Sequence, residues 1–447
     1  MYNLLIDGGT VIDPANDLHE RGNVAIEGGK VEAVGPDLQP SHSKEVIHAD
    51  GKWVLPGFVD PHVHVSSKPQ GHRMMARAGV TCALDMAGRP SELIDGMSKA
   101  GTGLTVGVLF PLIPGETLTC QEPGRGEIAD VVANALRQGA LGVKVLGGHY
   151  PLSPEATARI IQVAHEQKAW CAVHAGTLAT GSNIDGLEEL VALAGGLPIH
   201  IAHVNSYCRG QSTGDPVAEA SRALHALSHA SASFAESYLS RLNGTNAIMA
   251  DGMPKSAVTR TCLKAGDFQA TEAGMEEALA EGWAKVHGFR DQEIVLLDPS
   301  EGLDLFRAKG SQVYVSFAVN SPGAAIALAV ARSDGSFAIP ALSTDGGGIP
   351  RNTTLKQGLA LVRFGALSLD DLVVKASLNP ARWLGLTTKG QLSPGADADA
   401  IVVNPSTCTA EWVIANGQIV VREGQVVGQG GRMVTTEPLP TPSRTHA

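Results

Sequence analysis

Aromatic residues are scarce in this chain of 447 residues, with 5 Trp, 5 Tyr and 9 Phe, or 4% in all. Basic residues are outnumbered as well, 34 Lys and Arg against 45 Asp and Glu, for a net charge of −11. That balance argues against nucleic acid and an anionic membrane surface, and makes a small molecule the expected partner. The 6 cysteines (Cys82, Cys120, Cys171, Cys208, Cys262, Cys408) show no C-x-x-C spacing. A zinc knuckle and a disulfide framework are therefore not indicated, and free thiols in a reducing compartment fit best. No apolar run approaches the roughly 18 residues that span a bilayer, and MYNLLIDGG lacks a basic stretch followed by an apolar core. A cytoplasmic location follows as the expectation. Neither a solenoid repeat nor a long low-complexity tract is present.

What the chain does have is 43% hydrophobic residues, enough for a large core, with 52 Gly and 25 Pro for turns and close backbone approaches. Its length suits two or three domains, or one large α/β domain with an appendage. Residues 1–55 hold short alternating segments, NLLIDGGTVID, NVAIEGGKVEAVG and EVIHADGKWVLPG, broken by Gly, Asp or Asn as hairpins are. The same rhythm returns in DADAIVVNP and AEWVIANGQIVVREGQVV. A small β-sandwich domain built from both chain ends, 1–55 and 388–435, is expected, with 436–447 as a flexible tail. Between them, GFVDPHVHV, VTCALDMA, LTVGVLF, LGVKVLG, WCAVHAG, PIHIAHV, SASFAESY and AIPALSTD read as buried strands alternating with helices. Eight such units predict an α/β fold, a (β/α)₈ TIM barrel over 56–387. A ninth strand candidate, QVYVSFAV, falls in an insertion at about 245–320 that is expected to cover the pocket. A doubly wound open sheet is the alternative, but the first unit lacks a G-x-G-x-x-G turn.

In such a barrel the chemistry sits at the C-terminal ends of the strands. His62 and His64 end PGFVDPHVHV on one face of a strand, with Asp60 behind them. With 15 His in the chain, about half of one such pair is expected by accident, so the pair alone decides nothing. Lys144 ends LGVKV, His174 ends WCAVH, His203 ends PIHIAH and Asp345 ends PALSTD. Six polar residues thus stand at the edges of five different strands. A lysine in a buried strand needs a partner or must lose its proton. His200, three residues before His203, faces the other way and reads as a core histidine. His225 and His229, four apart in ALHALSHA, have a helical ligand spacing. No Glu follows the first as a metalloprotease helix requires, so an exposed helix face is the better reading. His165 reads as structural, and His19, His42, His48 and His446 receive no role.

Imidazoles with carboxylate oxygens suit two divalent metal ions, zinc before iron, manganese or nickel. Two ions about 3.5–4 Å apart need a bridging anion besides hydroxide. A neutral, desolvated Lys144 amine could react with carbon dioxide to give a carbamate whose two oxygens bridge them.

Taken together, PGFVDPHVHV, LGVKV, CAVHAG, IAHV and STDGG, closed by SLNPARWLGL and KGQLSPGADADAIVV, resemble the amidohydrolase superfamily over nearly the whole chain. The resemblance implies that His62 and His64 bind the more buried metal and His174 and His203 the second. It makes Lys144 the carboxylated bridge and Asp345 both a ligand of the first metal and the proton shuttle. Within the superfamily the chain is similar to the hydantoinase, dihydroorotase, isoaspartyl dipeptidase and D-aminoacylase side. The 29-residue step from His174 to His203 resembles the dipeptidase and D-aminoacylase branches. The 142 residues from His203 to Asp345 resemble the long insertion of D-aminoacylases. The cysteine that bridges metals in that last group has no counterpart in VTCALDMAGRP, where Cys82 is mid-strand.

The implied enzyme is a hydrolase of carbon–nitrogen bonds other than peptide bonds, in which a metal-bridging hydroxide attacks the carbonyl of an N-acyl amino acid, a cyclic amide or a related small molecule. Asp345 delivers the proton to the leaving nitrogen. Candidate substrate contacts are His149 and Tyr150 in KVLGGHY, Tyr207 and Arg209 in NSYCRG, and Tyr238, Arg241 and Asn243 after the seventh strand. A homo-oligomer is expected. The alternatives are a one-metal deaminase acting on an amidine-like carbon, against which Lys144 argues, and a non-catalytic scaffold homologue.

Overall fold

The computed structural model describes residues 1–435; the proposed tail, 436–447, lies outside the described residues. The chain forms two compact units. The first takes Met1–Val108, Pro340–Gly348 and the chain from Asn352; the second takes Leu109–Ile339 and Ile349–Arg351.

In the first unit, strands from both chain ends share one sheet. Tyr2–Asp13 pairs antiparallel with Leu18–Glu27, which pairs with Lys30–Gly35. Trp53–Pro56 joins Tyr2–Asp13 on one side and Ala400–Asn404 on the other, and Thr409–Ala415 and Gln418–Arg422 continue the sheet. Three of its turns hold two consecutive residues in the left-handed region: Gly28 and Gly29, Asn416 and Gly417, Glu423 and Gly424. Such turns match the right-handed twist of a hairpin, which is why Gly-Gly and Asn-Gly stand there. Leu4 and Ile6, Val24 and Ile26, Val54, Ala400 and Val402, and Ile414 pack into one core. Their two-residue period puts them on a single face.

The same unit carries parallel strands, numbered in chain order. Strands β1 (Phe58–His64), β2 (Val80–Asp85) and β3 (Thr102–Leu112) lie side by side, and Gly346–Gly347 pairs parallel with β1. In the second unit the end of β3 pairs with β4 (Gly142–Leu146), followed by β5 (Trp170–His174), β6 (His200–Ile201) and β7 (Phe234–Ser237), all parallel. Strand β8 (Ala341–Leu342) belongs to the first unit. Helices Arg125–Arg137, Pro154–Glu166, Ile184–Ala194 and Pro216–Ser228 make the crossovers. Their starts are set locally. Ser153 caps the Ala156 amide ahead of Pro154, and Asp215 caps Val217 and Ala218 ahead of Pro216, the usual chemistry of a helix N-terminus.

The insertion is an α+β body with its own core. Asn243–Asn246, Tyr314–Phe317, Ala284–Arg290 and Glu293–Leu296 form an antiparallel sheet, in that order. Val258, Leu263, Met275, Leu279, Val286, Phe306, Val315 and Phe317 pack beneath it. QVYVSFAV therefore supplies a strand of the insertion, not of the parallel sheet.

Candidate metal centre

His62 and His64 leave β1 on the same side, with ring centroids 5.3 Å apart. Asp345 reaches both: its Oδ1 lies 3.2 Å from His62 Nε2 and 3.0 Å from His64 Nε2. His62 is 1% exposed and Asp345 6%. Two donors on one first-row ion at about 2.0–2.1 Å stand roughly 2.9–3.4 Å apart, so these spacings fit a shared ion. All three ligand atoms lie within 4.8 Å of one another.

The backbone around Asp345 is built to present it. Asp345 has φ +48°, a left-handed conformation uncommon for residues other than glycine that collects at functional sites. Thr344 donates from its hydroxyl to Asp60 Oδ2 at 2.5 Å and from its amide to Oδ1 at 3.2 Å. Asp60 Oδ1 also accepts the His62 amide, so the carboxylate behind the histidines clamps the Asp345 turn to β1. Gly346 and Gly347 then run in register with Val63 and His64. A Cβ on Gly348 would meet Lys68 Cβ at 2.3 Å. Asp85, at the end of β2, accepts the amides of Val65, Ser66 and Ala87 at 2.7, 2.7 and 3.0 Å. It fixes the chain as it leaves His64.

In the second unit, His174 and His203 form a second pair. His203 Nε2 lies 3.1 Å from His174 Nδ1, and the rings are 4.3 Å apart. His174 Nε2 meets Ser182 Oγ at 2.8 Å. If that nitrogen donates, Nδ1 carries the lone pair toward His203, which is how an outer hydrogen bond orients a metal-ligating imidazole. His203 has φ +34°, and its amide donates to the fully buried Glu236 at 2.7 Å. Lys144 is 1% exposed on β4, in register with Ala172 of β5. Cys171 beside it is pushed up to about 12 by burial, against the pull of the Lys144 charge.

The candidate substrate contacts fall into two groups. His149 Nδ1 meets Ser256 Oγ at 3.2 Å, and its ring stands edge-on to His174 with centroids 5.3 Å apart. The Tyr150 phenol is raised by burial and by Glu116, with Asn246 as a hydrogen-bond partner. Tyr207 is buried against both His174 and His203, and its hydroxyl accepts the Ala175 amide at 2.8 Å. The second group is a network around Asn320. Arg209 donates to Asn320 and Asn243 at 2.9 Å each, and Asn320 donates to the Tyr238 hydroxyl at 2.8 Å. Among the described residues Arg241 enters only through its backbone carbonyl, and it is exposed.

Sequence reasoning missed Thr344, Ser256 and Asn320, and with them Asp85, Glu236, Ser182 and Arg351. Asp85 and Glu236 are acidic residues near the C-terminal ends of apolar strands, so the rule that selected Asp345 would have found them. Ser182 carries no signal of its own. Arg351, buried at 1%, sits 4.8 Å over the Tyr238 ring and donates to the Tyr238 hydroxyl and the Leu242 carbonyl. Only a tertiary contact reveals it.

The amidohydrolase family profile matches residues 53–430. Over 437 aligned residues the chain is 26% identical to a dihydroorotase of Pelotomaculum thermopropionicum, covering 90% of this chain and 89% of the relative. A Trichlorobacter lovleyi dihydroorotase is 46% identical, but over 63 residues only, 14% of this chain and 15% of the relative. Among solved structures, the N-acyl-D-glutamate deacylase from Bordetella bronchiseptica, complexed with zinc and a phosphonate inhibitor, superposes with a TM-score of 0.69 at 16% identity, over 97% of this chain and all of that one. The fold is thus the α/β barrel with an added β-rich domain. Family match, full-length similarity and architecture converge, and the chain belongs to the amidohydrolase family.

Proposed function

We propose that this protein is a metal-dependent hydrolase of amide-type carbon–nitrogen bonds in a small molecule. The observation that carries the reading is the His62, His64 and Asp345 cluster, whose 3.0 and 3.2 Å donor spacings suit one shared cation. The full-length similarity to a dihydroorotase and the fold shared with an N-acyl-D-glutamate deacylase support an amide substrate, cyclic or acyl.

His62, His64 and Asp345 would hold one divalent ion, and His174, His203 and a carboxylated Lys144 would supply the ligands for a second. Zinc is the proposed metal, in keeping with the donor set and with the zinc in the Bordetella deacylase. When bound, such an ion polarises a carbonyl and lowers the pKa of water from about 15.7 to about 7. Asp345 takes a proton from the attacking water and gives it to the leaving nitrogen, without which an amine leaves poorly. Asp60 and Thr344 hold the turn that presents that carboxylate. His149, braced by Ser256, faces His174 and is the proposed polar contact to the substrate carbonyl.

The test is metal analysis and intact-mass spectrometry of the purified protein, with a substrate panel of dihydroorotate, hydantoins, lactams, N-acyl amino acids and isoaspartyl dipeptides. Two ions per chain, a carboxylated Lys144 and turnover of one amide class are expected. One ion with an unmodified lysine and turnover of an amidine-like substrate would replace this reading with the one-metal deaminase.

A further inference from the structure

A third histidine pair lies on the crossover helix Pro216–Ser228. His225 stands in its last turn, and His229 caps it with φ −92° and ψ −1°, so the helical stagger continues through both. Residues four apart share one helix face, and both side chains are exposed. Their rings stand 5.0 Å apart and nearly perpendicular, at 88°.

That spacing has a chemical meaning. Two imidazoles ligating one ion at about 2.0–2.1 Å, at angles between square and tetrahedral, place their ring centres about 4.5–5.2 Å apart. The observed 5.0 Å lies inside this range. One turn earlier, Arg222 is committed to Asp185 and Glu188 at 2.7 and 2.6 Å, so its charge is locally balanced.

We propose that His225 and His229 form a surface site for a divalent first-row transition metal ion, with water in the remaining positions. No loop has to order for binding, because the helix already holds both ligands. Affinity should follow the general order for nitrogen ligands, with copper(II) above nickel(II) and zinc(II). The site is independent of the hydrolytic reading, yet it bears on the metal count: protein purified in excess zinc or nickel would carry a third ion.

The experiment is a copper(II) titration, followed by electron paramagnetic resonance and calorimetry, of the protein with its tightly bound metals in place. One added equivalent with nitrogen hyperfine structure is expected in the wild type. H225A and H229Q should each weaken that binding by about tenfold or more, leaving turnover and tightly bound metal unchanged. Equal affinity in the wild type and both variants would overturn the proposal, whatever the outcome of the substrate panel.

Discussion

Gly148 has no room for a side chain, because a Cβ there would stand 2.0 Å from His174 Nε2. Replacing it by alanine must push the imidazole away from His203 and Ser182. The expected result for Gly148→Ala is loss of about one metal per chain by plasma spectrometry and a fall in turnover of about 10–100-fold, the range seen when the support of a metal ligand is removed. His72 offers a test by acid. Its ring is buried with no hydrogen-bond partner for either nitrogen among the described residues, and burial lowers its pKa to about 4, against the opposing pull of Asp85. Above its unfolded value near 6.5 the ring is neutral in both states and contributes no pH dependence. As pH falls from there toward 4, only the unfolded chain gains the proton, and stability is lost by up to about 3 kcal/mol. His72→Leu should flatten this part of the urea-denaturation profile; an unchanged slope would remove His72 as its cause. The thiols form a third case. Cys120 is exposed and the other five are buried, with Cys82, Cys171 and Cys208 each pushed to about 12, chiefly by burial. One thiol should react with iodoacetamide in the native protein at pH 8, and all six after denaturation.

At the scale of elements, the parallel strands were legible because β1 to β5 are apolar runs ended by turn residues; these runs named His62, His64, Lys144 and His174, and the shorter PIHIAH and PALSTD named His203 and Asp345. Strand β6 is only His200–Ile201, yet PIHIAHV reads as a strand because its β-branched residues are buried by their neighbours. The insertion was legible as an interruption but not as a folded body. Its first strand, Asn243–Asn246, is polar in every residue but Gly244, and its pairing with Tyr314–Phe317 spans some 70 residues. That body reaches the candidate centre through Ser256, which touches His149 and shares a hydroxyl network with Thr245, itself 2.9 Å from Thr259. Ser256→Ala removes the brace on His149 at a stability cost of about 1 kcal/mol. It should lower kcat on the preferred amide while leaving metal content unaltered. A variant with wild-type kcat would show that the insertion does not position His149.

Over the whole molecule, the two chain ends complete one core. Leu4, Ile6 and Val24 on one side, and Leu392, Ala400, Val402 and Ile414 on the other, pack into a single cluster. The sequence carried this as a repeated hairpin rhythm, but strand order is a long-range outcome that no local pattern encodes. Bound metal should act at the same scale. A ligand that binds only the native state stabilises it by RT ln(1 + [L]/Kd), about 4 kcal/mol at a thousandfold excess over Kd. Stripping the protein with pyridine-2,6-dicarboxylate should therefore abolish turnover and lower the melting temperature by about 5–10 °C. Zinc with bicarbonate should restore both, because the proposed carboxylation of Lys144 needs the carbon dioxide as well as the ion. Asp345→Asn should respond differently, keeping much of the metal and its thermal protection while losing turnover, since the amide can still offer an oxygen to the ion but cannot carry the proton. Normal turnover in that variant would remove Asp345 from proton transfer even if the metal content agrees. An unchanged melting temperature on stripping would mean that the His62, His64 and Asp345 cluster holds no ion in solution.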